Sequence, residues 1–518
     1  MNDKKSAKIK NLILDNIVVI LFATVVIFGI IASGGGMTKN YSIYFQTFFS
    51  DLLVRVFRNS FLVMSLVIPV VAGLGLNFGI VIGAIAGQTA LIFLRYQSHY
   101  YPALGGINGF ALCLLLALPI AILFGWLTGM LYNKVRGQEM IAGLIVSYFA
   151  AGLYNFIFLF VAGYIIPVDG KNPIIVPENP QGIAAGVRMT IDMGDIGGSI
   201  DKLIEMPFMY LIMVVAIVLM CYAVLTHVRT FNKTKKALVI PFIGVLFAII
   251  FVVLGTQSVS NVVPAALGLF GIVCLLGLLA YFTLDNKRNN PDYAPAGKGA
   301  LIFPCAIAGG LAFWAAYNFL LNTGLTADRM RKAPVVTALL SVVLFFFTSY
   351  LMKTKLGQDF RTVGNSQAIA EVSGINVSHT RIIATMLSTV FASWGMIIYL
   401  QNMGTLSVYD SHRNIGLFAV ASILVGGAST SRASLRNVIV GIILFNAMAI
   451  VAPDIGRFAF GDAVMGEYFR SFMQYAAIGL ALGLYVWRAN KSSRAQHELD
   501  PLGEPDPPAA PAVPEETV

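Results

Sequence analysis

Charge is what this sequence has least of. Asp, Glu, Lys and Arg make up 12% of the 518 residues, whereas 57% are hydrophobic. A soluble domain carries about a quarter charged residues, so a water-exposed globular fold is excluded. A mean hydropathy of +0.78 points to a bilayer as the main solvent. Cysteine is scarce too: Cys113, Cys221, Cys274 and Cys305 all fall inside apolar runs with no metal-ligand spacing. They read as small buried hydrophobes, not as a disulfide framework. None of the histidines, His99, His227, His379, His412 and His497, lies mid-membrane near a nucleophile or carboxylate. The phosphate-loop, H-E-x-x-H and G-x-S-x-G motifs are all missing, so no cofactor or catalytic centre is expected. The acidic residues that touch an apolar segment, Asp15 and Glu139, sit at its ends. That leaves no proton relay of the kind ion-coupled transporters use.

The net charge of +10 is distributed as flanks to apolar runs rather than as a patch, which excludes nucleic acid as a partner. A helix needs about 20 apolar residues to cross the hydrocarbon core. That ruler gives about fourteen spans, near 12–33, 59–76, 79–96, 107–132, 139–166, 206–227, 237–255, 262–284, 300–321, 334–352, 381–403, 413–428, 437–452 and 471–488. With both termini cytoplasmic, most Lys and Arg fall on the inner side, as the positive-inside rule requires. The run from Leu12 is too long for a secretory signal and is read as a retained first span.

Three stretches are not spans. Residues 167–205 form a polar external loop. Residues 42–58, with Arg55 and Arg58 among aromatics, suit an interfacial helix before the second span. The tail 492–518, rich in Pro, Glu and Ala, cannot bury a core.

Two patterns carry more information. The first is a glycine ladder, Gly73, Gly75, Gly79, Gly83 and Gly87, interrupted by Asn77. Spacing by four puts Gly79, Gly83 and Gly87 on one close-packing helix face, and the denser start suits a broken helix lining protein or a path. The second is the basic loop from Lys353 to Val377. Asn365 or Ser366 can cap a short helix that Gly374 ends. Ala368, Ile369 and Val372 then form an apolar stripe suited to a partner groove.

Gly357, Arg361, Gly364, Asn365, Ala368, Ala370, Gly374 and Ile375 resemble the cytoplasmic element of bacterial ABC importer permeases for ribose, simple sugars, nucleosides and branched-chain amino acids. Ile423 to Ser434 resembles a later glycine-rich segment of that family. Residues 135–141 with Val146-Ser147-Tyr148 resemble its nucleoside-type branch, with Gln138 and Ser147 where that branch has asparagines. The resemblance covers 1–205 and 322–491, and implies an all-α polytopic membrane protein: a ten-helix permease core interrupted by two helical hairpins at 206–321.

The resemblance also implies a bacterial cell (inner) membrane location. It implies separate ABC ATPase subunits on the cytoplasmic face, a second permease subunit, identical or homologous, an external substrate-binding protein, and membrane lipid around the spans. Coupling to the ATPase would fall to Gly357, Arg361, Gly364, Asn365, Ala368, Ile369, Glu371, Val372 and Gly374. The uncharged hydrogen-bonding residues of the core, Asn77, Gln88, Tyr154, Asn155, Trp394, Gln401 and Asn446, are the candidates for the solute pathway. They suit a neutral nucleoside or sugar. Branched-chain amino acids, another ring compound such as a vitamin, and ion-coupled secondary transport stand as alternatives.

Overall fold

In a computed structural model, the described residues are 17–36, 41–176, 185–208, 332–428, 433–462 and 464–476, with a few isolated positions beside them. The spans expected within 216–321 and the tail 492–518 lie outside them. The chain is helical: α1 (Ile17–Gly36), α2 (Tyr41–Ser65), α3 (Val67–Val71), α4 (Ile80–Ser98), α5 (Gly106–Lys134) and α6 (Glu139–Phe156), the last extended by a π-turn, Ile157–Ile165. After a loop bearing β1 (Ile175–Val176), β2 (Ala185–Val187), β3 (Thr190–Asp192) and β4 (Glu205–Pro207), the chain resumes at β5 (Lys332–Pro334). There follow α7 (Val335–Leu351), α8 (Lys355–Asn365), α9 (Gln367–Val372), α10 (Val377–Met403), β6 (Thr405–Ser407), α11 (Ser411–Val425) and α12 (Leu435–Phe460). Residues 464–476 add a further helical segment.

The centre is α10, packed along α5, α4 and α2. Small residues make this possible. A Cβ on Gly83 would lie 2.7 Å from the Thr389 carbonyl oxygen, and one on Gly125 would lie 2.7 Å from Met386 Cα. Helices meet backbone to backbone here, as they do in lipid, where packing replaces the hydrophobic drive. Outward faces of α5, α6 and α7 carry Leu115, Leu123, Ile145, Phe149 and Phe346, all exposed. That is an inside-out arrangement suited to lipid or to another membrane subunit.

Among the described residues, six helices are long and apolar enough to cross a membrane, or seven if α7 and α8, bent by 71°, make one broken span. Three expectations change. Residues 42–58 are not a separate interfacial helix but the first half of α2, which runs on to Ser65. Asp51, Arg55 and Arg58 therefore lie within a span-length helix, and Asp454 lies within α12, so acidic residues are not confined to the ends of apolar segments. The span expected at 413–428 is α11, only 15 residues long. At about 1.5 Å per residue it falls short of a 30 Å core.

Three two-stranded ribbons close one end of the bundle: β1 with β2, β3 with β6, and β4 with β5. The last is antiparallel and pairs Pro207 with Lys332. The opposite end carries α8 and α9.

Candidate functional site

The end with α8 and α9 is built by capping. Thr354 accepts from the Gly357 amide at the start of α8, Ser366 from the Ile369 amide at the start of α9, and Asn376 from the His379 amide at the start of α10. Each side-chain oxygen satisfies a helix donor that has no intrahelical partner. Ser366, not Asn365, is the cap of the short helix, and Asn365 ends α8. Gly374 adopts φ +79°, the left-handed geometry of a helix stop. Phe360, Val363 and Ala370 are buried and fix the pair to the bundle. Ile369 and Val372 are 63% and 92% exposed, and Ala368 is exposed beside them. Glu371 reaches Arg136 at 3.7 Å.

The glycine-rich break in the second span lies directly under this element. Gly73 and Gly75 have positive φ. Gly364 of α8 packs on Gly73 so closely that a Cβ there would collide with the Val71 carbonyl oxygen and lie 3.0 Å from the Gly73 nitrogen. Beyond the break, Asn77 Oδ1 accepts from Tyr132 Oη at 2.7 Å and from the Gly79 amide at 2.9 Å. Its Nδ2 is 3.4 Å from Ser388 Oγ. A backbone contact and one buried asparagine thus join α8 to α5 and α10.

Two further buried groups lie at this end. Arg381 is fully buried and forms an ion pair with Glu139 while donating to the Tyr132 carbonyl at 3.2 Å. Its Nε and Nη1 have no partner among the described residues.

Deeper in the bundle, Gln88 Oε1 is 3.0 Å from His412 Nδ1, and the Tyr154 ring meets the His412 ring edge-on at 5.1 Å. Gln88 Nε2, His412 Nε2 and Tyr154 Oη are buried without partners among the described residues. The cluster has free donors and acceptors for a small polar guest.

At the ribbon end, Asp201 accepts from Thr337 Oγ1 at 2.5 Å and from Asn402 Nδ2 at 2.7 Å. Asn402 in turn accepts from Arg58 at 3.2 Å, and Gln401 Nε2 lies 3.5 Å from Thr337 Oγ1. Tyr409 donates to the Val187 carbonyl at 2.7 Å. Burial pushes its phenol up to about 12, so it keeps its proton and this bond at any ordinary pH. Next to this network a cavity of about 560 Å³ opens between α2, the end of α10, α11, α12 and the 464–476 segment.

The pathway residues chosen from sequence do not converge on one site. Gln88 and Tyr154 meet around His412, and Asn155 lies one residue on with an unpartnered Oδ1. Asn77 belongs to the coupling end and Gln401 to the ribbon end. Asn446 lines the cavity and accepts from Asn59 Nδ2 at 2.8 Å. Trp394 donates to the Leu114 carbonyl at 3.2 Å and stacks near Phe391, a packing role. Sequence reasoning missed His412, Arg381, Arg55 and Arg58. The signal was there for Arg381, which opens the span expected at 381–403, since an ionisable residue within a span is itself a functional flag.

Residues 236–482 match the family described as branched-chain amino acid transport system / permease component. The fructose import permease protein FruG of Bifidobacterium longum is 30% identical over 110 residues, which is 20% of this chain and 30% of that protein. The probable ABC transporter permease protein YphD of Escherichia coli K12 is 30% identical over 164 residues, 31% of this chain and 47% of that protein. The aligned stretches cover less than half of each relative. No solved structure matches the chain.

Proposed function

We propose that this chain, whose residues 236–482 match the family of permease components, is an ABC importer permease that forms the translocation pathway for a nucleoside or sugar-like solute. It is a transporter component rather than an enzyme, a multi-pass membrane protein of a sugar-type import system. In this reading ATP is hydrolysed by separate subunits docked at the α8–α9 end, which faces the cytoplasm of a bacterial cell. The ribbon end faces out, toward an external binding protein, and a second permease subunit completes the pathway.

The observation that carries this reading is the α8–α9 pair. It is capped at both starts, anchored by Phe360 and Val363, and yet leaves Ile369 and Val372 uncovered. An apolar stripe on a water-facing helix needs a groove to cover it. The same pair presses Gly364 onto the broken span at Val71 and Gly73. Movement of the docked ATPases would thus reach Asn77, Tyr132 and Ser388 with no flexible linker between. The pathway role of Gln88, Tyr154, Asn155, Gln401 and Asn446 is supported by the unpartnered polar atoms of the first four and the cavity position of the last.

The test is pull-down of the co-expressed ATPase with Ile369→Glu and Ala368→Asp. Burying an unpaired charge costs several kcal/mol, comparable with a coupling free energy of about 1–3 kcal/mol between sites. Both variants are expected to insert normally, lose the ATPase and stop uptake. Full ATPase binding by both would remove the coupling assignment.

A further inference from the structure

The 560 Å³ cavity at the ribbon end is cationic. Its walls carry Arg55 and Arg58 from α2 and Arg470 from the 464–476 segment, against one carboxylate, Asp51. The three arginines differ in how they are satisfied. Arg470 is paired with Glu467 at 2.5 Å. The hydrogen-bond and ring partners of Arg58 are neutral: the Asn402 oxygen, the Met403 sulfur at 2.9 Å, and the Tyr399 ring, whose centroid lies 4.8 Å from its guanidinium carbon; the Asp201 carboxylate, which Asn402 also bonds, adds a longer-range attraction. Its Nε has no hydrogen-bond partner. Among the described residues Arg55 has neither an ion pair nor a hydrogen bond, although it is half-buried in the same wall.

The floor repeats the pattern. Ser422 lines the cavity, is 2% exposed, and its hydroxyl has no partner among the described residues. A cation in a partly buried wall is expensive unless something of opposite charge meets it. A guanidinium offers forked donors that match a carboxylate or phosphate. The volume lies in the range of small-molecule sites.

We propose that this cavity is an anion site that receives the carboxylate or phosphate of a guest on Arg55 and Arg58, with Ser422 taking a polar group at the floor. The guest is a small polyhydroxylated anion, such as a sugar acid or sugar phosphate, or the headgroup of an acidic phospholipid that supplies the same chemistry. The solute form rests on the transport reading above. It changes the substrate class from the neutral ring compound expected from the asparagines and glutamines alone to an anionic one.

The experiment uses the full chain in nanodiscs of phosphatidylcholine, without ATPase. Tm is measured against gluconate, glucose 6-phosphate, inorganic phosphate and, as the neutral control, glucose. A second set of discs contains phosphatidylglycerol. Wild type and Arg55→Lys are expected to be stabilised by an anion and not by glucose. For Arg55→Gln the half-saturating concentration should rise about tenfold or more. Ser471→Asp, which adds a carboxylate to the opposite wall, should act in the same direction and serves if Arg55→Gln is not monodisperse.

A response to soluble anions supports a solute site. An Arg55-dependent response confined to phosphatidylglycerol discs supports the site with lipid as its guest. No stabilisation by any anion, or equal responses from wild type, Arg55→Gln and Ser471→Asp, overturns it. Because no ATPase is present, this result and the pull-down fail independently.

Discussion

Arg381 and Glu139 are 242 positions apart in the chain and meet in the interior, both buried. Removing one partner of such a pair costs about 3–5 kcal/mol, because the other charge is stranded, whereas replacing both by apolar groups is often neutral. Glu139→Leu and Arg381→Met are each expected to lower the Tm of the purified protein, and the double variant should recover much of the loss. A double-mutant cycle checks this, and additive losses would mean the pair is not coupled. Sequence alone showed Glu139 opening a span and Arg381 among the inner basic residues; it could not show that they touch. The same holds for Gln88 and His412. A hydrogen bond between side chains on distant helices leaves no local spacing to read, so the residues were legible as polar and their grouping was not.

For the helices, the legible part is what local chemistry dictates. The cap and stop of α9, the close-packed glycine face of α4 and the break at Gly73–Gly79 all follow from residue types at fixed offsets. Two things were hidden. The start of α2 was placed at residue 59 because Asp51, Arg55 and Arg58 lower its hydropathy, yet Arg55 and Arg58 face a cavity rather than lipid. The contact between Gly364 and the broken span was also hidden, because two backbones meeting without side chains have no sequence signature.

That contact makes a discriminating test. Ala in place of Gly favours a helix interior by about 1 kcal/mol, so Gly364→Ala would raise stability if α8 mattered only as a helix. The added Cβ would instead collide with the Val71 carbonyl oxygen, which cannot be relieved by a rotamer change. Gly364→Ala is expected to keep ATPase binding in pull-down while uptake falls by about tenfold or more, on the scale of a site-to-site coupling energy. Normal uptake would separate α8 from transmission.

At the scale of the whole molecule, orientation is the quantity to measure. Reporter fusions at Gly186 and Thr326 are expected to read external, and fusions at Arg136 and Lys235 cytoplasmic. A cytoplasmic signal at Gly186 would invert the proposed assignment of the two ends. That the described helices are of membrane-spanning length could be expected from composition, because lipid imposes one length rule on every span. What composition could not anticipate is how the described residues on either side of 216–331 are tied together.

The tie is the β4–β5 ribbon, where Glu205 pairs with Pro334, Pro207 pairs with Lys332, and the Lys332 ammonium lies 2.7 Å from Glu205 Oε2. Partners in an antiparallel ladder stand about 5 Å apart, so the chain leaves the core and re-enters it through one narrow gate on one face. Main-chain hydrogen bonds hold β4 to β5 directly, so the end of the ribbon-bearing loop and the start of α7 stay in register with one another without relying on the residues between them.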